Sequence, residues 1–270
     1  MVMSNWQIIR GQIKYIDLLI EVCDARAPYS SRHPKAKEIF GSKPILLLLN
    51  KSDLADKKYL DNELEQLNKL PNQKAIALSL KSKQHKQTIL KIIEDLTKVK
   101  REASKRKGLS TTTIRICVVG MPNVGKSSLI NWLIGHKRAK VGNKPGITKG
   151  PQWIKIDKGL ELLDTPGVLP RENLDNKTRT KLAILNLLKA APDETETLAN
   201  ESLTFLKIYY PLAIKQYLDI SEDENINLET LAQKRGFLSP GGKYNLNRAA
   251  HTLLLDLNDG KLGGVFLDRV

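Results

Sequence analysis

Apolar positions along this chain follow two different rhythms. Up to about residue 170, short runs that are continuously apolar or alternate with period two recur at 18–23, 44–50, 75–80, 113–120, 153–156 and 160–163. Each has the length and the β-branched or aliphatic content of a strand. Helical spacing fills the gaps between the first four, at 36–40, at 57–70, where Leu60, Leu64 and Leu67 share one face, and at 89–99. Strands that alternate with helices predict an α/β fold whose mainly parallel sheet has helices on both faces. The last two strands are separated only by Asp157-Lys158-Gly159, too short for a crossover, so they are expected to form an antiparallel hairpin at one edge. After Pro170 the period changes to that of helices (Leu182, Leu185, Leu188; Leu203, Leu206, Tyr210; Ala250, Leu253, Leu257), which predicts a small all-α domain over 173–270 after a first domain over 1–172.

Composition narrows the class. With 270 residues, 41% hydrophobic and 27% charged, the chain can bury a substantial core and is not a disordered one. The longest apolar stretch, 45–49, falls far short of the ~20 residues needed to cross a bilayer, so no membrane partner is expected. The start, MVMSNWQIIRG, has no apolar leader, and the two cysteines, Cys23 and Cys117, both lie in strand-like runs; a reducing, cytoplasmic home is expected.

Charge adds a partner. Lys and Arg number 44 against 29 Asp and Glu, a net +15, and the pI is near 9.7. The excess is uneven: residues 98–107 (KVKREASKRK) hold six basic residues and one acid, residues 132–156 hold six and none, and 193–229 is acidic. Such clustering favours nucleic acid, bound by release of counterions from its phosphates. Residues 98–112, basic and then Ser/Thr-rich, are expected to be an exposed connector within the first domain.

Five short segments carry chemistry. Gly120-Met121-Pro122-Asn123-Val124-Gly125-Lys126-Ser127 matches G-x-x-x-x-G-K-[ST] between a strand and a helix, the context a phosphate-cradling loop needs. Its backbone N–H groups are expected to face phosphates and Lys126 to reach the β and γ phosphates, while the Ser127 hydroxyl can ligate Mg2+ and Ser128 can reach the α-phosphate region. Asp164-Thr165-Pro166-Gly167 follows a strand, so that Asp164 can hold the magnesium through water and the Gly167 N–H can meet the γ-phosphate. Thr148, on the Gly/Pro-rich segment Lys144-Pro145-Gly146-Ile147-Thr148, is suited to complete the Mg2+ shell when the γ-phosphate is present, as a switch does. Asn50-Lys51-Ser52-Asp53 closes an apolar strand. A carboxylate at Asp53 accepts from N1–H and the amine of guanine, and adenine would leave it unpaired. The stem of Lys51 would cover the base, Asn50 would tie this loop to the phosphate loop, and Ser79-Leu80-Lys81-Ser82 would offer N–H groups to the guanine carbonyl. Asn123 admits two readings: it resembles the asparagine that helps to coordinate K+ beside the phosphates in several nucleotide-binding proteins with a P-N-x-G-K-S loop, or it satisfies the loop's own backbone.

The base-reading loops precede the phosphate loop, the reverse of the usual GTPase order. In this order, and in DARAPYSSRHP, LLNKSD, GMPNVGKSSLIN, KPGITKGPQW, LELLDTPGVL, KRGFLSPGG, RAA and DLNDGKLGG, the chain resembles the circularly permuted ribosome-assembly GTPases of the YlqF/RbgA family over nearly its whole length. The resemblance implies hydrolysis of GTP, coupled to late maturation of the large ribosomal subunit in bacteria or organelles, with the helical domain contributing ribosomal RNA contacts; separately, a monomer is expected. Val168 stands where Ras-like enzymes carry a water-orienting glutamine, and no Pro-Gly-His follows Trp6, where the family carries a histidine implicated in hydrolysis. A GTP-gated RNA-binding placeholder with little intrinsic hydrolysis is therefore the alternative reading.

Overall fold

The computed structural model describes residues 11–33, 40–82, 85–109, 111–134, 152–157, 159–164, 174–221 and 225–269. The expected strands are all present: β1 (Leu18–Asp24), β2 (Ile45–Asn50), β3 (Gln73–Ala77), β4 (Ile114–Gly120), β5 (Gln152–Asp157) and β6 (Leu160–Asp164). They form one sheet in the order β3-β2-β1-β4-β6-β5, parallel throughout except for the edge hairpin of β5 and β6. The third strand is shifted toward the N-terminus relative to the apolar run. Gln73 and Lys74 pair with Ile45 and Leu46 of β2 and the pairing ends at Ala77, and on the free edge the Asn68 side-chain amide both donates to and accepts from the backbone of Ala75 (3.1 and 2.9 Å).

Alternation along β1 places Leu18, Ile20 and Val22 on one face and Leu19 and Cys23 on the other, all fully buried. The first face is covered by Ile89 and Ile93 of α2 (Lys86–Leu96) and by Leu129 and Leu133 of α4 (Lys126–Ile134). The second is covered in part by Leu60 and Leu67 of α1 (Lys57–Asn68). The helix expected at 36–40 lies, except for Phe40, outside the described residues.

One expectation needs correcting. Residues 98–112 are not all connector: Lys98–Arg106 form a helix, α3, which is separated from α2 by Thr97. Lys, Arg, Glu and Ala are strong helix formers, and Lys98 and Glu102 sit at i,i+4. Charge had concealed that propensity.

Described residues beyond 174 are organised by five helices, α5 (Asn176–Ile184), α6 (Thr195–Tyr209), α7 (Pro211–Leu218), α8 (Leu228–Lys234) and α9 (Leu246–Asp259), with no named strand among them. Side chains of Asp175, Asn227 and Asn245 cap α5, α8 and α9 by accepting from Thr178, Thr230 and Arg248 N–H groups. Pro211 separates α6 from α7, since it lacks the N–H that a continuous helix would need. Leu182, Leu203, Leu253 and Leu257 continue the apolar cluster that begins on the first face of the sheet.

Beyond α9 the chain returns to the sheet as a strap. Val265 forms a parallel bridge with Ala55: its N–H donates to the Leu54 carbonyl (3.1 Å) and its carbonyl accepts from the Asp56 N–H (3.2 Å). The Leu267 N–H donates to the Arg26 carbonyl (2.6 Å). The Asp268 carboxylate accepts from the N–H groups of Tyr29 (2.8 Å) and Ser30 (3.0 Å) and from the Ser30 hydroxyl, and pairs with Lys181 of α5 (3.2 Å).

Candidate functional site

In a parallel sheet the loops that follow the strands gather at one end. Register brings Gly120 beside Val22, Asn50 beside Asp24 and Ala77 beside Leu49, so the loops after β4, β2 and β3 share one rim. The phosphate-loop segment and Asn50-Lys51-Ser52-Asp53, about seventy residues apart in sequence, are bonded there. Asn50 is the link: its Nδ2 donates to the Val124 carbonyl (2.7 Å) and its Oδ1 accepts from the Leu80 N–H (3.0 Å). A single buried amide thus joins all three loops: the bond to Val124 is the tie to the phosphate-loop segment expected of Asn50, and the bond to Leu80 adds the turn after β3. Gly125 is required by this arrangement, because a Cβ there would meet Asn50 Nδ2 at 2.3 Å and its φ of +109° disfavours any L side chain.

Helix α4 starts at Lys126, and its first backbone bond runs from the Leu129 N–H to the Gly125 carbonyl (2.9 Å). The N–H groups of Lys126, Ser127 and Ser128 precede that bond, so they are the donors a helix N-terminus offers to an anion. Both serines are exposed and Pro122 is half-buried. The Lys126 ammonium donates to the Met121 carbonyl (2.6 Å), and burial pulls its pKa down to about 8. Phosphate oxygens would restore the charge of this group. Affinity for GDP should therefore be full below about pH 8 and fall as pH rises through that value, with a proton taken up on binding. Calorimetry at about pH 8.5 in two buffers of different ionisation enthalpy should read an uptake of about half a proton or more, absent in Lys126→Met.

On the base side, Lys51 adopts a left-handed φ of 62°, and its ammonium pairs with Asp24 (2.9 Å) at the end of β1. Asp53 pairs with Lys81 (3.4 Å), both partly or largely exposed. The Ser52 N–H donates to the Leu78 carbonyl (3.3 Å), and Ser79 is bonded to the Ser82 N–H (3.0 Å), closing the turn after β3. Asp164 ends β6 on the same rim; Thr148 and Gly167, the other expected contributors to magnesium and γ-phosphate binding, lie outside the described residues.

Three contributors escaped the reading of the sequence. Asp24 is fully buried and accepts from the Arg26 N–H (3.1 Å), from Arg26 Nε and Nη2 (both 2.9 Å), and from Lys51. Burial alone would raise this carboxyl, yet the hydrogen bonds and charge of Arg26, with those of Lys51, hold it below the usual carboxylate range. A carboxylate and an arginine two residues apart at the end of an apolar strand were the available signal. The strap residue Asp268 is the second. The third is a backbone group: the Asn186 carbonyl, just after α5, accepts from Nδ2 of Asn123 in the phosphate loop (2.8 Å).

The comparisons agree with this geometry. Residues 115–214 match the family model described as 50S ribosome-binding GTPase. Ribosome biogenesis GTPase A of Bacillus pumilus is 34% identical over 264 residues, covering 97% of this chain and 93% of that protein. This chain belongs to the ribosome biogenesis GTPases of the YlqF/RbgA family. Probable ribosome biogenesis GTPase A of Mycoplasma genitalium is 37% identical over 250 residues, 92% of this chain and 87% of that one. Among solved structures, GDP-bound TM YlqF covers 97% of this chain and 98% of its own at a TM-score of 0.65 and 26% identity. The transposed order of the loops around one sheet is the circular permutation expected of the family. Among the described residues no helix is long and apolar enough to cross a membrane.

Proposed function

We propose that this family member binds GTP with Mg2+, hydrolyses it to GDP and phosphate, and acts in the cytoplasm on a precursor of the large ribosomal subunit and its ribosomal RNA. The observation that supports the reading is the Asn50 amide, which bonds the segment 120–127 and the turn after β3 to the loop that follows β2. Lys126 takes the β and γ phosphates, Gly167 meets the γ-phosphate, and Asp53 reads guanine beneath the Lys51 stem. The exposed hydroxyl of Ser127 at the start of α4 fits a hard cation that keeps phosphate and water oxygens as its other ligands, with Thr148 and Asp164 completing the set. When bound, Mg2+ neutralises the charge that develops between the β and γ phosphates. The helical unit over 173–270 contacts RNA, and the Asn123 contact to Asn186 gives the phosphate loop a direct line to it.

Hydrolysis needs more than these groups supply, because Val168 can neither donate nor accept a proton. This favours the second reading, a GTP-gated placeholder, wherever the ribosome is absent. With its amide nitrogen engaged by Asn186, Asn123 retains the oxygen that a K+ ion would take, and the ion would offset charge in the transition state. Single-turnover hydrolysis should run at least about tenfold faster with large subunits than without, and faster in KCl than in NaCl. Equal slowness in all conditions would leave the placeholder. Calorimetry showing no preference for guanosine over adenosine nucleotides would end both readings.

A further inference from the structure

Positive charge is segregated between the two parts of the chain. Residues 1–172 hold 32 Lys and Arg against 16 Asp and Glu, whereas residues 173–270 hold 12 against 13. The whole basic excess therefore lies in the part that carries the nucleotide site, and the helical part is close to neutral. Within the described residues its densest concentration is α3 and the residue after it. Lys98, Lys100, Arg101, Lys105, Arg106 and Lys107 surround a single carboxylate, Glu102, and the helix buries none of its residues.

Helix stabilisation does not account for this distribution. Basic residues at the C-terminal end, Lys105 and Arg106, suit the macrodipole, but Lys98 and Lys100 stand in the first turn, which has no acid and where the same dipole repels them. Ion pairing accounts for little more. Lys100 is held by Asp17 (2.5 Å) and Lys98 reaches Glu102 only at 4.0 Å, while Lys105, Arg106 and Lys107 make no ion pair among the described residues.

We propose that α3 is a docking surface for the phosphate backbone of duplex RNA, and that it supplies the salt-dependent part of this protein's grip on its RNA partner. The proposal rests on the ribosomal reading above and adds to it a second contact, outside the helical unit. Lys98 and Lys105 lie about 10 Å apart along the helix, within reach of neighbouring phosphates of one strand. Single-stranded recognition stacks bases on aromatic rings, and α3 has none, which leaves phosphates as its ligand. An anionic membrane is the poorer fit, because Val99 and Ala103 are its sole apolar side chains and an interfacial helix needs a broad apolar face.

Position gives the surface its role. The Lys100 ammonium bonds Asp17 and the Thr113 carbonyl (3.3 Å), residues that precede β1 and β4, so α3 lies at the end of the sheet opposite the nucleotide loops. Its contact with RNA is therefore indifferent to whether GDP or GTP is bound.

The test uses the full chain and a short, perfectly paired, fluorescent RNA duplex, titrated across a KCl series. The variant is Lys105→Gln with Arg106→Gln and Lys107→Gln; a control removes the same charge from the helical unit by Lys189→Gln, Lys207→Gln and Lys215→Gln. The α3 variant should bind at least about tenfold more weakly at low salt and lose about two to three units of the log–log salt slope, equally with GDP and with a nonhydrolysable GTP analogue. Its affinity for a fluorescent GDP and its melting temperature should match the parent's. An unchanged slope, or a loss no greater than the control's, overturns the proposal. So does a parent chain that binds anionic vesicles but not the duplex. If the α3 variant cosediments with large subunits as the parent does, α3 is excluded while the ribosomal reading stands. A parent that binds neither duplex nor subunits refutes both.

Discussion

Gly125→Ala is expected to weaken guanine nucleotide binding by at least about 100-fold while leaving the chain folded. The new Cβ would stand 2.3 Å from Asn50 Nδ2, and Asn50 has nowhere to retreat. It is buried, and its two ends hold the Val124 carbonyl and the Leu80 N–H. Moving it would leave two loop groups unpaired at a cost of about 1–3 kcal/mol each, before any strain from an alanine at φ +109°. The contrast is Gly236→Ala, also at a positive φ (+65°) but with nothing within 4 Å of the added carbon. That variant should lose about 1 kcal/mol of stability and no nucleotide affinity. Titration of a fluorescent GDP against both variants, with melting curves, checks the pair; binding by Gly125→Ala within about threefold of the parent would show that the loops are not joined through Asn50.

Asp24→Ala is expected to be the most damaging substitution to stability. It leaves the guanidinium of Arg26, fully buried, without its bidentate partner, a situation that costs about 3–5 kcal/mol. For a chain of this size that corresponds to a fall of about 10 °C in melting temperature. The same substitution releases the Lys51 ammonium, so nucleotide affinity should fall in the protein that remains folded. The double variant Asp24→Leu with Arg26→Met separates the two effects. Removing both buried charges should restore much of the melting temperature. Nucleotide affinity should stay low, because Lys51 still lacks its anchor. If the double variant regains both, Asp24 supports the fold and has no part in placing Lys51.

The inner strands were legible because β1 and β2 are buried along their whole length and so read as apolar runs bounded by turn residues, while the edge strands β3 and β5, which are largely half-buried, still carry enough apolar positions to be marked. Helices α1 and α2 were legible from their spacing. In the site, Asn50 could be assigned its role from chemistry alone: a short amide at a strand end, beside a glycine-rich loop, can bridge two backbones. What stayed hidden depends on partners that the sequence cannot mark. The acceptors of Asn123 and Lys126 are the carbonyls of Asn186 and Met121, groups that every residue possesses. Asp268 reaches loop residues more than two hundred positions away. The polar character of 98–112 suggested a connector, whereas helix propensity, which is indifferent to apolar content, made its first nine residues α3.

The strap has a bearing on how the molecule comes into being. Translation proceeds from the N-terminus, so the loop that follows Asn50 is made early, yet the backbone that completes its outer side, at Val265, is made more than two hundred residues later. Until that stretch leaves the exit tunnel, the Leu54 carbonyl and the Asp56 amide have only water to bond. A product cut short before position 265 would carry every motif quoted above and still lack the brace behind the loop proposed to read the base, so a truncated copy should compete poorly with the finished protein for guanine nucleotides.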